Sequence, residues 1–179
     1  MQDRRARAGA RTTVLLLADT HGAVDPRIAA LAHACDAVVH AGDIGDAAVL
    51  TALGPAYRVL AVRGNNDTPA KWPAKERRRL ARLPVQARLE LPGGTLVVVH
   101  GDRVTPAGRR HEKLRRLHPD ARAVVYGHTH RVVCDRRALP WVLNPGAAGR
   151  TRTFGGPSCL ILEATVGEWR LRLHRFARS

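Results

Sequence analysis

Lysine, aromatic side chains and acidic residues are all scarce in this chain of 179 residues. Only Lys71, Lys75 and Lys113 are lysines, so arginine carries nearly all of the positive charge. With 30 basic residues against 15 acidic ones, the formal charge is +15. Basic surfaces attract phosphate through long-range fields, which raises a polyanionic partner. Aromatics make up only 4%, however, too few for a base-stacking track, and the basic residues are spread along the chain. An arginine- and alanine-rich composition is what GC-rich coding also gives, and nucleic acid is not the favoured partner. The cysteines, Cys35, Cys134 and Cys159, show no C-x-x-C spacing and suit a reducing compartment. No apolar run is long enough to span a bilayer, and the Arg-rich N-terminus lacks the apolar core of an export signal. No membrane partner is expected, and the expected location is cytoplasmic.

What is present is a globular composition, 45% apolar, in a chain the size of one domain. Residues 1–11 read as a frayed basic tail, and 12–179 as one domain. Thr13–Ala18 is an apolar run that ends abruptly at Asp19-Thr20-His21, as does a strand buried on both faces. Asp25-Pro26 caps a helix over Arg27–Ala34. Ala37–Ala41 is a second strand ending at Gly42-Asp43, Asp46–Leu53 a second helix, and Tyr57–Val62 a third strand ending at Gly64-Asn65-Asn66-Asp67. This β-α-β-α-β order predicts a parallel sheet with right-handed crossovers. Lys71–Arg82 reads as a solvated charged face, in which Ala74–Leu83 is either a short exposed helix or a loop. Gln86–Leu91 and Thr95–Val99 form a hairpin whose second arm ends in His100-Gly101. A basic helix over Arg109–Leu117 precedes the buried strand Ala123–Tyr126, which ends in Gly127-His128-Thr129-His130. Short strands at Arg131–Asp135 and Trp141–Leu143 lead to Asn144-Pro145-Gly146. Cys159–Ala164 and Glu168–Phe176 close the chain, the last with the alternation of a half-buried edge strand.

Five strand ends therefore carry donors of one chemical kind: Asp19 and His21, Asp43, Asn65, His100, and His128 with His130. In open α/β sheets the ligand site lies at the carboxyl ends of strands. Taken singly, each residue has an ordinary explanation as a helix cap, a turn residue or a surface histidine. Five coincidences at five strand ends do not. Oxygen and imidazole donors in this mix suit Mn, Fe, Zn or Ni better than Ca or a thiolate-seeking ion.

The order D-x-H, G-D, G-N-x-D, H-G, G-H-x-H resembles the calcineurin-like metallophosphoesterase superfamily. The short chain and Asn144-Pro145-Gly146 resemble its small single-domain phosphodiesterase branch. The resemblance covers roughly Thr12 to Phe176. It implies an α/β/β/α sandwich, four layers with two mixed β-sheets face to face and helices outside. It further implies two divalent transition-metal ions, with Mn the first expectation and Ni, Fe or Zn as alternatives. By motif, Asp19, His21 and His130 would hold one ion, Asn65, His100 and His128 the other, and Asp43 would bridge them. The implied reaction is hydrolysis of a small-molecule or nucleotide phosphodiester by in-line attack of a metal-bridging hydroxide.

Asn65 and Asn66 are the candidate catalytic positions. The Asn65 amide could donate to a phosphate oxygen. Asn66 stands where many superfamily members carry a histidine that protonates the leaving group. Losing such an acid costs about two to four orders of magnitude with a poor leaving group. Asn66 thus predicts activated substrates or a proton donor from elsewhere. His111 is a candidate donor, although a plain surface histidine is the commoner case. His40 reads as a core histidine or one orienting a ligand; His33, His118 and His174 read as surface. Ala147 replaces a serine usual in the branch. Two other functions remain open: an interaction scaffold, as in the retromer subunit that resembles this branch, and a nuclease or nucleotide phosphodiesterase using the basic surface. Pairing of the last edge strand with a second copy is also open.

Overall fold

The computed structural model describes residues 11–178; of the expected basic tail, residues 1–10 lie outside them. Alternation within each strand explains why the layers form. In β1 (Thr12–Leu17) every residue from Val14 onward is buried. Val14 and Leu16 point to one side and pack with Leu96, Val98 and Val125, whereas Leu15 and Leu17 point to the other and pack with Ile28, Leu50 and Leu80. A run of consecutive apolar residues is thus divided between two cores, one between sheets and one beneath helices.

β1 pairs in parallel with β2 (Ala37–His40), and β2 pairs in parallel with β3 (Val59–Ala61). On the other side of β1, β9 (Ser158–Ala164) and β10 (Trp169–Arg175) add antiparallel, giving the order β10-β9-β1-β2-β3. The second sheet contains β4 (Gln86–Leu91), β5 (Gly94–Val99), β6 (Ala123–Val125), β7 (Val132–Asp135) and β8 (Trp141–Pro145). Its order is β4-β5-β6-β8-β7, with β5, β6 and β8 parallel and both edge strands antiparallel. Both sheets are mixed, as expected for the four-layer sandwich.

Helices α1 (Pro26–His33), α2 (Ala47–Ala52) and α3 (Arg77–Ala81) contribute Ile28, Leu50 and Leu80 to the core outside the first sheet. Side chains cap the first two: Asp25 accepts from Arg27 N at 2.9 Å, and Asp46 from Ala48 N at 2.7 Å. The second sheet is covered by α4 (Arg110–Leu117), which packs Leu114 against Val97, Val124 and Val142.

Several expectations change in detail. Tyr57 and Arg58 are not strand: Pro55 starts a single 3-10 turn over Ala56–Arg58, and the Tyr57 ring is 88% exposed. The Lys71–Arg82 segment is not simply a solvated face, because Trp72 and Leu80 pin it to the core outside the first sheet. His118 is buried rather than on the surface, held where α4 ends by its N–H donating to Leu114 O at 3.2 Å. In β10 the expected alternation fails at Leu173, which is exposed at the sheet edge.

Candidate metal centre

The carboxyl ends of β1, β2, β3, β5 and β6 meet at one place, and the loops that follow them carry the seven expected donors. The turn out of each strand is sharp. Asp19, His21, Asp43, His128 and His130 all have left-handed backbone, with φ between 47° and 67°. L-residues adopt this conformation at a cost, which persists only where surrounding contacts over-determine it. The loops are tied to one another: Asp19 N donates to Gly42 O and His21 N to Asp43 O, both at 3.0 Å. Gly42, at φ +91°, lies so close to the next loop that an added Cβ would sit 2.7 Å from His100 Nδ1 and 2.9 Å from Gly64 N. Glycine there is a packing requirement.

The donor atoms converge in two groups. Ligand atoms of Asp19, His21 and His130 lie within 4.8 Å of one another, as do those of Asp19, Asp43 and His100. Asp19 is thus common to both groups. Asp43 divides its oxygens between the two sides, Oδ2 being 3.8 Å from His21 Nε2 and Oδ1 3.4 Å from His100 Nε2. Asn65 Oδ1 stands 3.1 Å from both His100 Nε2 and His128 Nδ1.

Whether cations fit can be read from the hydrogen bonds. His100 Nδ1 donates to Ala41 O at 2.9 Å, which turns the lone pair of Nε2 toward Asn65 and Asp43. A backbone carbonyl oriented in this way behind a histidine is the usual support of a metal ligand. His21 Nε2 and His130 Nε2 face each other at 3.2 Å. Asp19 Oδ2 and His130 Nδ1 are buried without a hydrogen-bond partner among the described residues. Buried polar atoms are seldom left so, and the Nε2 atoms of His21 and His130, with Asp19 Oδ1 3.6 Å from the latter, form a cluster of donors that suits a cation.

The electrostatics of the donors agree at every histidine but His100. Burial raises the Asp19 carboxyl to about 7, and the neighbouring Asp43 charge adds to this. Burial also disfavours the Asp43 carboxylate, but His100 and Asn66 outweigh it and hold that group well below the usual range. Burial depresses His21, His128 and His130, the last to about 4 with Arg152 contributing, which favours the neutral ring with one nitrogen lone pair for a cation. His100 is opposite: burial is outweighed by Asp43, and its pKa rises.

Behind these donors, His40 is a wholly buried support. Gly42 N donates to its Nδ1 at 3.2 Å, so the ring proton is on Nε2 and is donated to Thr20 Oγ1 at 2.9 Å. Thr20 in turn donates to Ile44 O. This chain needs a neutral imidazole, and burial accordingly lowers its pKa to about 4. Because the folded pKa lies below the unfolded value, the associated stability is complete above about pH 6.5 and is lost as pH falls toward 4. The loss is on the order of 3 kcal/mol. Urea unfolding of metal-free protein at pH 7 and pH 4.5, compared with His40→Gln, is expected to show a shallower pH dependence in the variant. Equal slopes would remove His40 as the cause.

Asn66 reaches the centre: its N donates to Asp43 Oδ1 at 2.8 Å and its Nδ2 to Asp43 Oδ2 at 2.7 Å. Lys71 Nζ donates to Asn66 Oδ1. Arg152 Nη2 donates to His21 Nε2 at 3.1 Å. Sequence reasoning missed both cations; rarity of lysine was the only signal for Lys71, and Arg152 had none. His111 is engaged elsewhere, by Asp135 at Nδ1 and the Tyr126 hydroxyl at Nε2, both 3.1 Å, which leaves it no free nitrogen for the leaving group.

Comparison with known proteins places this geometry in a family. Residues 13–167 match the calcineurin-like phosphoesterase superfamily domain. A probable metallophosphoesterase of Methanocaldococcus jannaschii is 33% identical over 114 residues, 63% of this chain and 53% of that protein. The chain spans about half the length of that relative. In fold it is similar to a conserved uncharacterised protein, a predicted phosphoesterase, from Streptococcus pneumoniae (TM-score 0.67, 21% identity, 94% of this chain and 91% of that one). It is similar also to Vps29 from Chaetomium thermophilum (TM-score 0.69, 15% identity, 94% and 98%) and to an archaeal phosphodiesterase (TM-score 0.67, 21% identity, 90% and 99%). The match over residues 13–167 covers the two sheets up to β9 and all seven donors, and this chain belongs to the calcineurin-like phosphoesterase superfamily.

Proposed function

We propose that the protein is a phosphodiesterase working with two divalent metal ions, Mn first among Mn, Ni, Fe and Zn. Asp19, His21 and His130 would hold one, Asn65, His100 and His128 the other, with Asp43 between them. The observation carrying this is the set of unpartnered and mutually facing donors: Asp19 Oδ2 and the paired Nε2 atoms of His21 and His130. Bound there, such a pair supplies charge for the phosphate oxygens and lowers the pKa of a water to provide the nucleophile for in-line displacement.

The chain's own residues do the rest. Asn66 orients Asp43 through two hydrogen bonds and holds the Lys71 ammonium at the rim. With no histidine at position 66, the Lys71 ammonium held by Asn66 would supply charge stabilisation to the departing oxygen. Arg152, beside His21, offers a guanidinium to a non-bridging phosphate oxygen. The Asn65 amide, next to His100, can donate to another. Free cysteines are consistent with a cytoplasmic location, and no helix among the described residues is long and apolar enough to cross a membrane.

The fold likeness to Vps29 favours one alternative, an interaction scaffold. Metal-stripped protein offered a p-nitrophenyl phosphodiester with Mn, Ni, Zn, Mg or no metal distinguishes the two. Metal-dependent release of nitrophenolate is expected. Adding Mn in weak buffer at pH 7 should also release protons, because Asp19 with a pKa of about 7 must ionise to bind. No turnover with any metal by folded protein would leave the scaffold.

A further inference from the structure

The outer faces of the two sheets are not covered alike. Three helices lie on the first sheet, but α4 alone packs on the second, where Leu114 meets Val97, Val124 and Val142. The outer face at β4 and the end of β5 is left open there, with Gln86 and Arg88 exposed. This gap is a groove of about 480 Å³, the size of a small-molecule site.

Its inner end is formed by Asn65 and His100, both members of the candidate metal centre, so groove and centre are continuous. Its floor is apolar, from Val99, Val104 and Leu114. Val85 and Leu117 extend that surface outward and are 43% and 63% exposed, so the apolar floor continues to the rim of the groove. Three arginines, Arg63, Arg88 and Arg103, stand around it. Asp120 neutralises Arg88 at 2.5 Å and Asp102 is 4.0 Å from Arg103, while Arg63 has no ion pair among the described residues. The groove thus joins an apolar floor to an excess of guanidinium charge, at the doorstep of the centre.

Resting on the phosphoesterase reading, we propose that this groove receives the non-reacting arm of the substrate, and that the arm is a nucleoside-sized group bearing a second negative charge. A phosphorus atom held beside Asn65 and His100 directs one ester arm along the groove. The aliphatic floor covers a ring face, and guanidinium groups meet the second anion in a forked geometry that lysine cannot offer. The basic surface between α2 and α3 carries similar charge, from Arg78, Arg79 and Arg82, but none of the metal-centre residues. It serves as the control for bulk electrostatics.

Three esters with one p-nitrophenyl leaving group test this: a methyl arm, a thymidine 5′ arm, and the same thymidine with a 3′-phosphate. With metal added back, kcat/KM is expected to rise about tenfold from methyl to thymidine and about tenfold again with the 3′-phosphate. Leu117→Asp should remove the first gain, and Arg63→Gln with Arg103→Gln the second, whereas Arg78→Gln leaves both. Calorimetric binding of thymidine 3′,5′-bisphosphate to metal-free protein should weaken about tenfold in the double arginine variant. Equal kcat/KM for the three esters, with metal-dependent turnover intact, overturns the groove and leaves the phosphoesterase standing. Absence of turnover for all three overturns the phosphoesterase, and bisphosphate binding unaffected by the arginine variants overturns the groove. Faster hydrolysis of single-stranded oligothymidylate than of the 3′-phosphorylated ester also overturns it, since a polymer would then fill this surface.

Discussion

Asp43→Asn is expected to lower metal-dependent phosphodiester hydrolysis at least about a thousandfold, the scale of losing a group that organises the reacting charges. The change is one atom in size and severe in chemistry. Asp43 is 1% exposed and presents its two oxygens to opposite sides, toward His21 and His100. Each oxygen also accepts from Asn66, one from the backbone and one from the side chain. An amide at position 43 must turn its NH2 toward one of these donors, and it removes the charge that holds the two groups of ligands together. Bound metal, measured per chain by elemental analysis after dialysis, should fall together with kcat. Circular dichroism should remain that of the parent protein, because the substitution preserves shape. Full activity in Asp43→Asn would end the metal-bridging role.

Asp67→Ala is expected to be the most damaging substitution for stability, costing about 3–5 kcal/mol. Where a histidine at position 66 would make Asp67 its orienting partner, the structure gives this carboxylate another task. It accepts four hydrogen bonds, from Ile44 N at 3.1 Å and from Gly45 N, Gly64 N and Trp72 Nε1 at 2.9 Å each. These donors belong to the loops after β2 and β3 and to the segment leading to α3. Asp67 is 2% exposed, so alanine would strand the donors away from water. For a chain of this size the melting temperature should drop by about 10 °C. Asp67→Asn, which keeps an acceptor, should recover part of it. A variant melting within a degree or two of the parent would show that water or a neighbour replaces the carboxylate easily. Metal binding should weaken in parallel, because Asp67 anchors the two loops that carry Asp43 and Asn65.

Much of the centre was legible because the donors cluster within a few residues of the ends of apolar runs. Thr13–Ala18 before Asp19, Ala37–Ala41 before Asp43 and Ala123–Tyr126 before His128 announce buried strands by burial pattern alone, and a polar residue at such an end has few other uses. The β-α-β-α-β order of these runs foretold a parallel sheet, whereas the second sheet and the four layers were expected only from the family resemblance. Legibility failed where a residue's fate depends on the path of another loop. Tyr57 has the composition of a strand residue but belongs to the turn that Pro55 begins. His118 carries no pattern that distinguishes it from His33, yet one is buried and the other exposed. Lys71 and Arg152 sit in charged segments like any others, and only the return of those segments to the centre brings them to Asn66 and His21.

The sequence by itself determined the donor types, their order and the strands that present them, since hydrophobic alternation and strand ends are local properties of the chain. It determined the family for the same reason. Tertiary structure alone decided that five of these donor residues take left-handed backbone, that Asp43 faces two ways, that Asp67 ties three segments together, and that α4 leaves a groove open beside Asn65. His128 and Asp19 are 109 residues apart in the chain, and His128 N donates to Asp19 Oδ1 at 3.1 Å. Contacts of that separation are set by how two whole sheets pack, which no single stretch of sequence encodes.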